Sequence, residues 1–219
     1  MKTLIKSLDD VMLHEQGDFY ILCGENKVGL EALFYNIMNN YCKQGGKCLC
    51  IKDNNVNPID YFIGIENMLD SHSKVPITEY NITTINISRT ELDISKLIDF
   101  ASEKKYKFVF IKLAKKLITD DLIINIRNLC SDYNITVFLL PRIEINKTTN
   151  EDINTFLDWS FDVVCLDKQK VGSTETTARY IYYEISFENI DDENLGEIIM
   201  KRKEKQLKFN LFGCAILPN

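Results

Sequence analysis

The chain has 219 residues, 45% hydrophobic and 26% charged, a balance that excludes disordered, collagen-like and disulfide-scaffold classes and fits one α/β domain spanning residues 1–219. The formal net charge of -6, with a pI near 5.1, does not favour wholesale binding to a phosphate backbone, although a local basic stripe is compatible with it. No apolar run reaches the roughly 18 residues of a membrane helix. The cationic start Met1-Lys2-Thr3-Leu4-Ile5-Lys6 gives way to Asp9-Asp10 rather than to an apolar stretch, so no signal peptide is expected and the location expected is cytoplasmic.

The first element in the chain is Phe19-Tyr20-Ile21-Leu22-Cys23, which reads as a buried strand. The segment Gly24 to Gly29 follows, then a helix from about Leu30 to Cys42, in which Leu33, Phe34, Ile37, Met38 and Tyr41 recur at helical spacing. Gly45-Gly46 stops it. Cys48 to Ile51 is a second strand, and Pro58 sits well in the first turn of a helix running to about Leu69. Ile82 to Ile87 is a third strand, followed by a helix from about Glu91 to Lys104. Phe108 to Ile111 is a fourth strand. Thr119 caps the next helix, which runs to about Tyr133.

Ile135 to Leu140 is a fifth strand, ended by Pro141, and Phe161 to Leu166 a sixth, after a polar stretch with a short helix. The tail changes character: Arg179 to Phe187, Gly196 to Lys201 and Gln206 to Phe212 read as a small β meander. Alternation of strands and helices predicts a mostly parallel central sheet with helices on both faces, extended at one edge by antiparallel strands. The seven cysteines, Cys23, Cys42, Cys48, Cys50, Cys130, Cys165 and Cys214, lie mostly in apolar runs and show no zinc spacing. They read as buried thiols of a reducing compartment. Asn81-Ile82-Thr83 and its like are chance triplets in a chain rich in Asn and Thr. His14 and His72 are isolated, Trp159 reads as a packing residue, and Asp191-Asp192-Glu193 as an acidic loop.

In parallel sheets ligands bind where strands end at their carboxyl side, which directs attention to Gly24-Glu25-Asn26-Lys27-Val28-Gly29-Leu30-Glu31. The phosphate-binding loop pattern is G-x-x-x-x-G-K-[ST]. Both glycines are correctly spaced, but Leu30 stands at the lysine position and Glu31 at the Ser/Thr position. In an intact loop the lysine meets the β/γ-phosphates and the hydroxyl holds magnesium. Leu30 brings no charge, and Glu31 repels a triphosphate unless it ligates a metal. Lys27 is the one cation inside the loop that could substitute. Three readings stand: a tight turn without ligand, weak binding of ATP or another nucleotide or anion, or real turnover.

The surroundings add a resemblance. Gly17-Asp18-Phe19-Tyr20-Ile21-Leu22-Cys23-Gly24 resembles the entry strand of the RecA-like ATPase domain of DnaB-type replicative helicases. Tyr35-Asn36-Ile37, Lys43-Gln44-Gly45-Gly46-Lys47-Cys48-Leu49, Ile135 to Leu140 and Phe161-Asp162-Val163-Val164 are similar to later segments of that family. So are Gly196-Glu197-Ile198-Ile199-Met200-Lys201-Arg202-Lys203 and Lys208-Phe209-Asn210-Leu211-Phe212. The matches run in order from about residue 4, so the family's amino-terminal interaction domain has no counterpart in this sequence. The resemblance implies a RecA-like fold, and it implies that the basic pair Lys201 and Lys203 are finger residues reaching a neighbouring subunit's γ-phosphate.

Departures fall on the chemistry. The family's magnesium-binding Asp after the fourth strand is Lys112 here, its sensor pair is Pro141-Arg142, and only Asp53 or Asn54 lies near the place of its catalytic Glu. The resemblance with these losses implies a pseudo-ATPase, a binding or regulatory protein linked to DNA replication whose partner is a helicase, another replication protein or a second copy of itself. The alternatives are an active DNA-dependent ATPase using Lys27 and Glu31, or a single-stranded DNA-binding module using its lysine clusters. Lys201-Arg202-Lys203-Glu204-Lys205, Lys104-Lys105 and Lys112 to Lys116 read most simply as solvated surface.

Overall fold

Strand residues of this chain alternate between two apolar layers, and the alternation dictates which side chains meet. The computed structural model describes residues 2–3, 5–12, 17–24, 27–53, 58, 81–87, 94–143, 148–160, 162–167, 175–189 and 196–210. In chain order these form α1 (Lys6–Asp9), β1 (Phe19–Gly24), α2 (Lys27–Lys43), β2 (Cys48–Lys52), β3 (Ile82–Asn86), α3 (Ile94–Glu103) and β4 (Phe108–Ala114). A 3-10 turn (Lys115–Leu117), α4 (Asp120–Tyr133), β5 (Thr136–Arg142), α5 (Asn150–Ser160), β6 (Asp162–Leu166), β7 (Glu175–Asn189) and β8 (Gly196–Asn210) complete them.

The strands form one sheet in the order β3-β2-β4-β5-β1-β6-β7-β8. The first six are mutually parallel, and β7 and β8 extend the β6 edge antiparallel. On one face, Tyr20 and Leu22 of β1, Phe108 and Phe110 of β4 and Phe138 and Leu140 of β5 pack with α1 and α2. On the other, Phe19, Ile21, Val109, Ile111, Val137 and Leu139 pack with α3, α4 and α5. Period-two side-chain direction in buried strands produces this division.

The first layer is aromatic. The rings of Tyr41 and Phe108 stack with centroids 4.0 Å apart, and Phe138 stacks on Phe110 at 5.1 Å and on Tyr20 at 5.3 Å. α2 begins earlier than its apolar periodicity predicts and is buried from Gly29 to Cys42 except at Glu31. It is sandwiched between the sheet and the amino-terminal segment, to which Asn40 Nδ2 donates at the Thr3 carbonyl, 2.7 Å. The helix ends as its glycines predict. Gly45 takes φ 79°, its N–H donates to the Cys42 carbonyl and that of Gly46 to the Tyr41 carbonyl, the two bonds of a Schellman motif. Thr119 caps α4, accepting from Leu122 N–H at 3.2 Å.

Two expectations need correction. Pro141 does not end β5, which runs on to Arg142 with Pro141 opposite Leu113 of β4. The pairing of β1 with β5 has already stopped at Leu139, so Pro141 has a ladder neighbour on one side only, where a missing N–H is tolerated. The expected meander is instead one long hairpin: Gly196 to Lys201 and Gln206 onward belong to a single strand, continuous through Arg202–Lys205. The charged run does not break it because β8 is the sheet's exposed edge, where charges guard against edge-to-edge pairing. Of the helix expected at 58–69 only Pro58 is described, in helical conformation; the rest of it, together with Glu25, Asn26, Asn54, His14, His72, Asp191-Asp192-Glu193, Phe212 and Cys214, lies outside the described residues. The six described cysteines are free and buried, and Trp159 packs against Phe156. Among the described residues, no helix is long and apolar enough to cross a membrane.

The aromatic layer is expected to dominate stability. Phe138→Ala removes a ring that touches both Phe110 and Tyr20, and urea unfolding should show a loss of about 3–5 kcal/mol. A loss below about 1 kcal/mol would mean the layer does not pack as described.

Candidate functional site

Gly24 closes β1 at the carboxyl edge of the sheet, paired in register with Leu166 of β6. It adopts φ +145°, and a Cβ there would meet the Leu166 carbonyl oxygen at 2.4 Å. Glycine is therefore demanded by close backbone approach as well as by conformation. Its N–H donates to Thr148 Oγ1 at 3.0 Å, and the same hydroxyl donates to the Gly24 carbonyl at 3.1 Å. Thr148 is buried. It ties the start of the turn to the start of α5 across 124 positions of sequence, and nothing in the local sequence singles it out.

Glu25 and Asn26 lie outside the described residues. Lys27, Val28 and Gly29 form the first turn of α2. Leu30, at the lysine position of the pattern, turns into the apolar layer against α1 and the sheet. Glu31, at the hydroxyl position, stays 37% exposed and meets Lys112.

Lys112 shares its face of β4 with Phe108 and Phe110, beneath α2, so its ammonium is carried into the protein and its side chain is 0% exposed. This overturns the reading of Lys112 to Lys116 as a uniform basic surface; only Lys116 and its neighbour Leu117 are exposed there. Lys112 Nζ lies 2.7 Å from Glu31 Oε1, off the line of a good hydrogen bond, and 5.5 Å from the centroid of the Tyr35 ring. Charge attraction and the ring face hold it.

The neighbouring charges along the edge are also taken up internally. Asp53, just past β2, accepts from Ala114 N–H at 2.8 Å and from Arg142 at 2.6 Å, both at Oδ2. Arg142 at the sensor position is thus a partner of the acidic residue nearest the catalytic Glu position. Lys115 pairs with Asp152, which caps α5 reciprocally with Thr149: Asp152 accepts from the Thr149 N–H and hydroxyl at 2.9 and 2.8 Å, and Thr149 Oγ1 accepts from Asp152 N–H at 3.1 Å. Burial would raise the Asp152 carboxyl, but Lys115 and Thr149 outweigh it and hold it below the ordinary value.

The basic pair of the hairpin does not join this site within the chain. Lys203 pairs with Tyr182, which faces Asp162 at the start of β6, whereas Leu207 pairs with Ala178, which faces Leu166 at its end. Four residues of strand separate the two levels, about 13 Å at ~3.3 Å per residue. Lys201 is farther still. Both lysines are exposed, and Lys203 Nζ lies 3.3 Å from Glu184. Among the described residues, no group of His, Cys, Asp and Glu could hold a metal ion.

No protein-family model matches the chain, and no curated protein matches it in sequence. Solved structures are similar in fold. The crystal structure of the RadB recombinase superimposes with a TM-score of 0.59 at 14% identity, over 82% of this chain and 88% of that one. The ATPase domain of a DnaB-like helicase does so with a TM-score of 0.58 at 9% identity, over 82% of each. The chain has a RecA-like α/β fold, mostly parallel with antiparallel strands at its carboxyl-terminal edge. In fold it resembles a DnaB-type ATPase domain.

Two outcomes follow for the edge. Glu31→Gln leaves the Lys112 ammonium buried without its counter-charge and should cost about 3 kcal/mol in urea unfolding, whereas Lys112→Met, which leaves a half-solvated carboxylate, should cost about 1 kcal/mol or less. Equal losses would show that burial of Lys112 is not the governing cost. Asp152→Asn should lower the melting temperature at neutral pH. A depressed carboxyl stabilises above its unfolded value near ~3.9 and loses that contribution as pH falls through the folded value. The difference between variant and parent should therefore shrink below about pH 4; a gap constant with pH would contradict the assignment.

Proposed function

We propose that this chain is a non-hydrolysing RecA-like domain that works as a binding or regulatory protein linked to DNA replication, and that nucleotide, where it binds, binds weakly. The Glu31–Lys112 pair carries the reading. In the DnaB-type domain that the sequence resembles, the corresponding positions supply a hydroxyl and a carboxylate to magnesium. Here a carboxylate and an ammonium occupy them and satisfy each other.

The residues do not fit the ion. Magnesium requires near-octahedral oxygen ligation. The carboxylate at the hydroxyl position, Glu31, is already 2.7 Å from a cation whose charge opposes a second one. Three cations of the same edge do not replace the lost lysine: Lys112 is neutralised by Glu31, Lys115 by Asp152 and Arg142 by Asp53. With these three described cations engaged by internal carboxylates, the edge draws a polyanionic triphosphate weakly.

A retained scaffold with neutralised chemistry suits recognition of another protein, a helicase or replication partner or a second copy of the chain. The exposed lysines of β8, Lys201, Lys203 and Lys205, are the residues that single-stranded DNA would meet if the partner were nucleic acid. Phosphate release measured with ATP and magnesium, with and without single-stranded DNA, should stay at background, and ATP should raise the melting temperature by less than about 1 °C at millimolar concentration. Multiple turnovers that vanish in Lys27→Ala would instead establish the active ATPase using an atypical loop.

A further inference from the structure

Two strands that meet beneath the turn each place a cysteine at the same level. Cys23 of β1 and Cys165 of β6 are register partners in adjacent parallel strands, and both point into the same apolar layer. Adjacent strands lie about 4.8 Å apart, inside the roughly 4.4–6.8 Å between Cα atoms that a disulfide spans. Arg179, across the β6–β7 ladder from Cys165, donates from Nη2 to the Cys165 sulfur at 3.6 Å. The guanidinium is held there by Asp167 at 3.0 Å and Glu204 at 3.8 Å. Cys165 is 3% exposed, whereas the Arg179 and Asp167 side chains in contact beside it are 27% and 31% exposed.

We propose that Cys23 and Cys165 form a reversible thiol–disulfide site, reached by hydroperoxides past Arg179, that locks β1 to β6 directly under Gly24. Cys165 is the attacking residue. The adjacent Cys23 thiol and the Arg179 guanidinium together outweigh burial, so its acidity is raised above that of an ordinary thiol. Burial pushes the Cys23 thiol up, which suits the resolving partner.

The reaction balances with one molecule of hydrogen peroxide. The Cys165 thiol gives its proton to solvent. Its thiolate attacks the peroxide, forming an S–O bond, breaking the O–O bond and releasing hydroxide, which takes up a proton as water. Cys23 sulfur then attacks the Cys165 sulfenic acid. The S–S bond forms, the S–O bond breaks, and the departing hydroxide takes the Cys23 proton as the second water. The two thiols are oxidised and the peroxide is reduced. The other buried thiols lack this arrangement. Burial and the neighbouring Cys42 thiol raise Cys48, with no cation among the described residues acting on it, so Cys42 and Cys48 are a thiol pair without the guanidinium. Burial pushes Cys50 and Cys130 up to about 12, and these two serve as internal controls.

The test is to treat the reduced, folded chain with equimolar hydrogen peroxide, block the remaining thiols, digest with trypsin and identify linked peptides by mass spectrometry. The dominant product should join residues 7–27 to residues 148–168 and disappear with dithiothreitol. Cys165→Ser should leave Cys23 unlinked. Arg179→Gln should slow linkage roughly three- to tenfold through a smaller thiolate fraction. Arg179→Lys keeps a cation and should retain most of the rate, which separates the charge from any general effect on folding. Absence of that linked pair in the folded protein, or a rate indifferent to Arg179→Gln, overturns the proposal.

Discussion

A buried ammonium is tolerable only when an opposite charge travels with it, and at Lys112 that partner comes from the first turn of the helix that follows the glycine-rich segment. The pairing depends on the whole arrangement of the sheet. Lys112 is an even-numbered residue of β4 and shares its face with Phe108 and Phe110. That face is covered by α2, which crosses β1, β5 and β2. Glu31 is the one residue between Gly29 and Cys42 that is not fully buried. A shift of one residue in β4 would send Lys112 to the opposite layer and leave Glu31 without its cation. Strand register, helix placement and edge electrostatics are therefore one constraint.

The same logic extends along the carboxyl edge. Asp53 with Arg142 and Asp152 with Lys115 close the ends of β2, β5 and the 3-10 turn onto one another, and Thr148 closes the start of the turn. In RecA-like sheets this edge is where ligand chemistry is expected. Here its charged side chains act as mutual struts. Among the described residues the edge thereby gains internal order while losing free charge.

Much of the scaffold is legible in the sequence because its strands are short apolar runs whose burial on both faces leaves no ambiguity: Phe19 to Cys23 and Phe108 to Ile111 are cases in point. Gly45-Gly46 and Thr119 act locally and were readable as a helix stop and a cap. The RecA-like fold was legible from the order of the matching segments rather than from any one of them. What was not legible depends on neighbours distant in sequence. The charge swap at Lys112 and Glu31 shows as two odd residues, but their contact needs the order β4-β5-β1 and the crossing of α2. Thr148 lies 124 positions from its partner. The continuity of β8 through Arg202–Lys205 was hidden because a polar run reads as a loop unless the strand is known to be an exposed edge. Pro141 misled for a related reason: its effect depends on where β1 stops pairing.

The central claim, that an internal ammonium has taken the place at Glu31 that a divalent cation would need, is most directly tested by carbon-detected NMR of the Glu31 carboxyl carbon and the Lys112 ammonium nitrogen during a magnesium titration. The account predicts both resonances unmoved into the millimolar range, with the Lys112 ammonium protons slow to exchange. A saturable shift of the Glu31 carboxyl carbon, accompanied by release of the Lys112 ammonium to fast exchange, would contradict it.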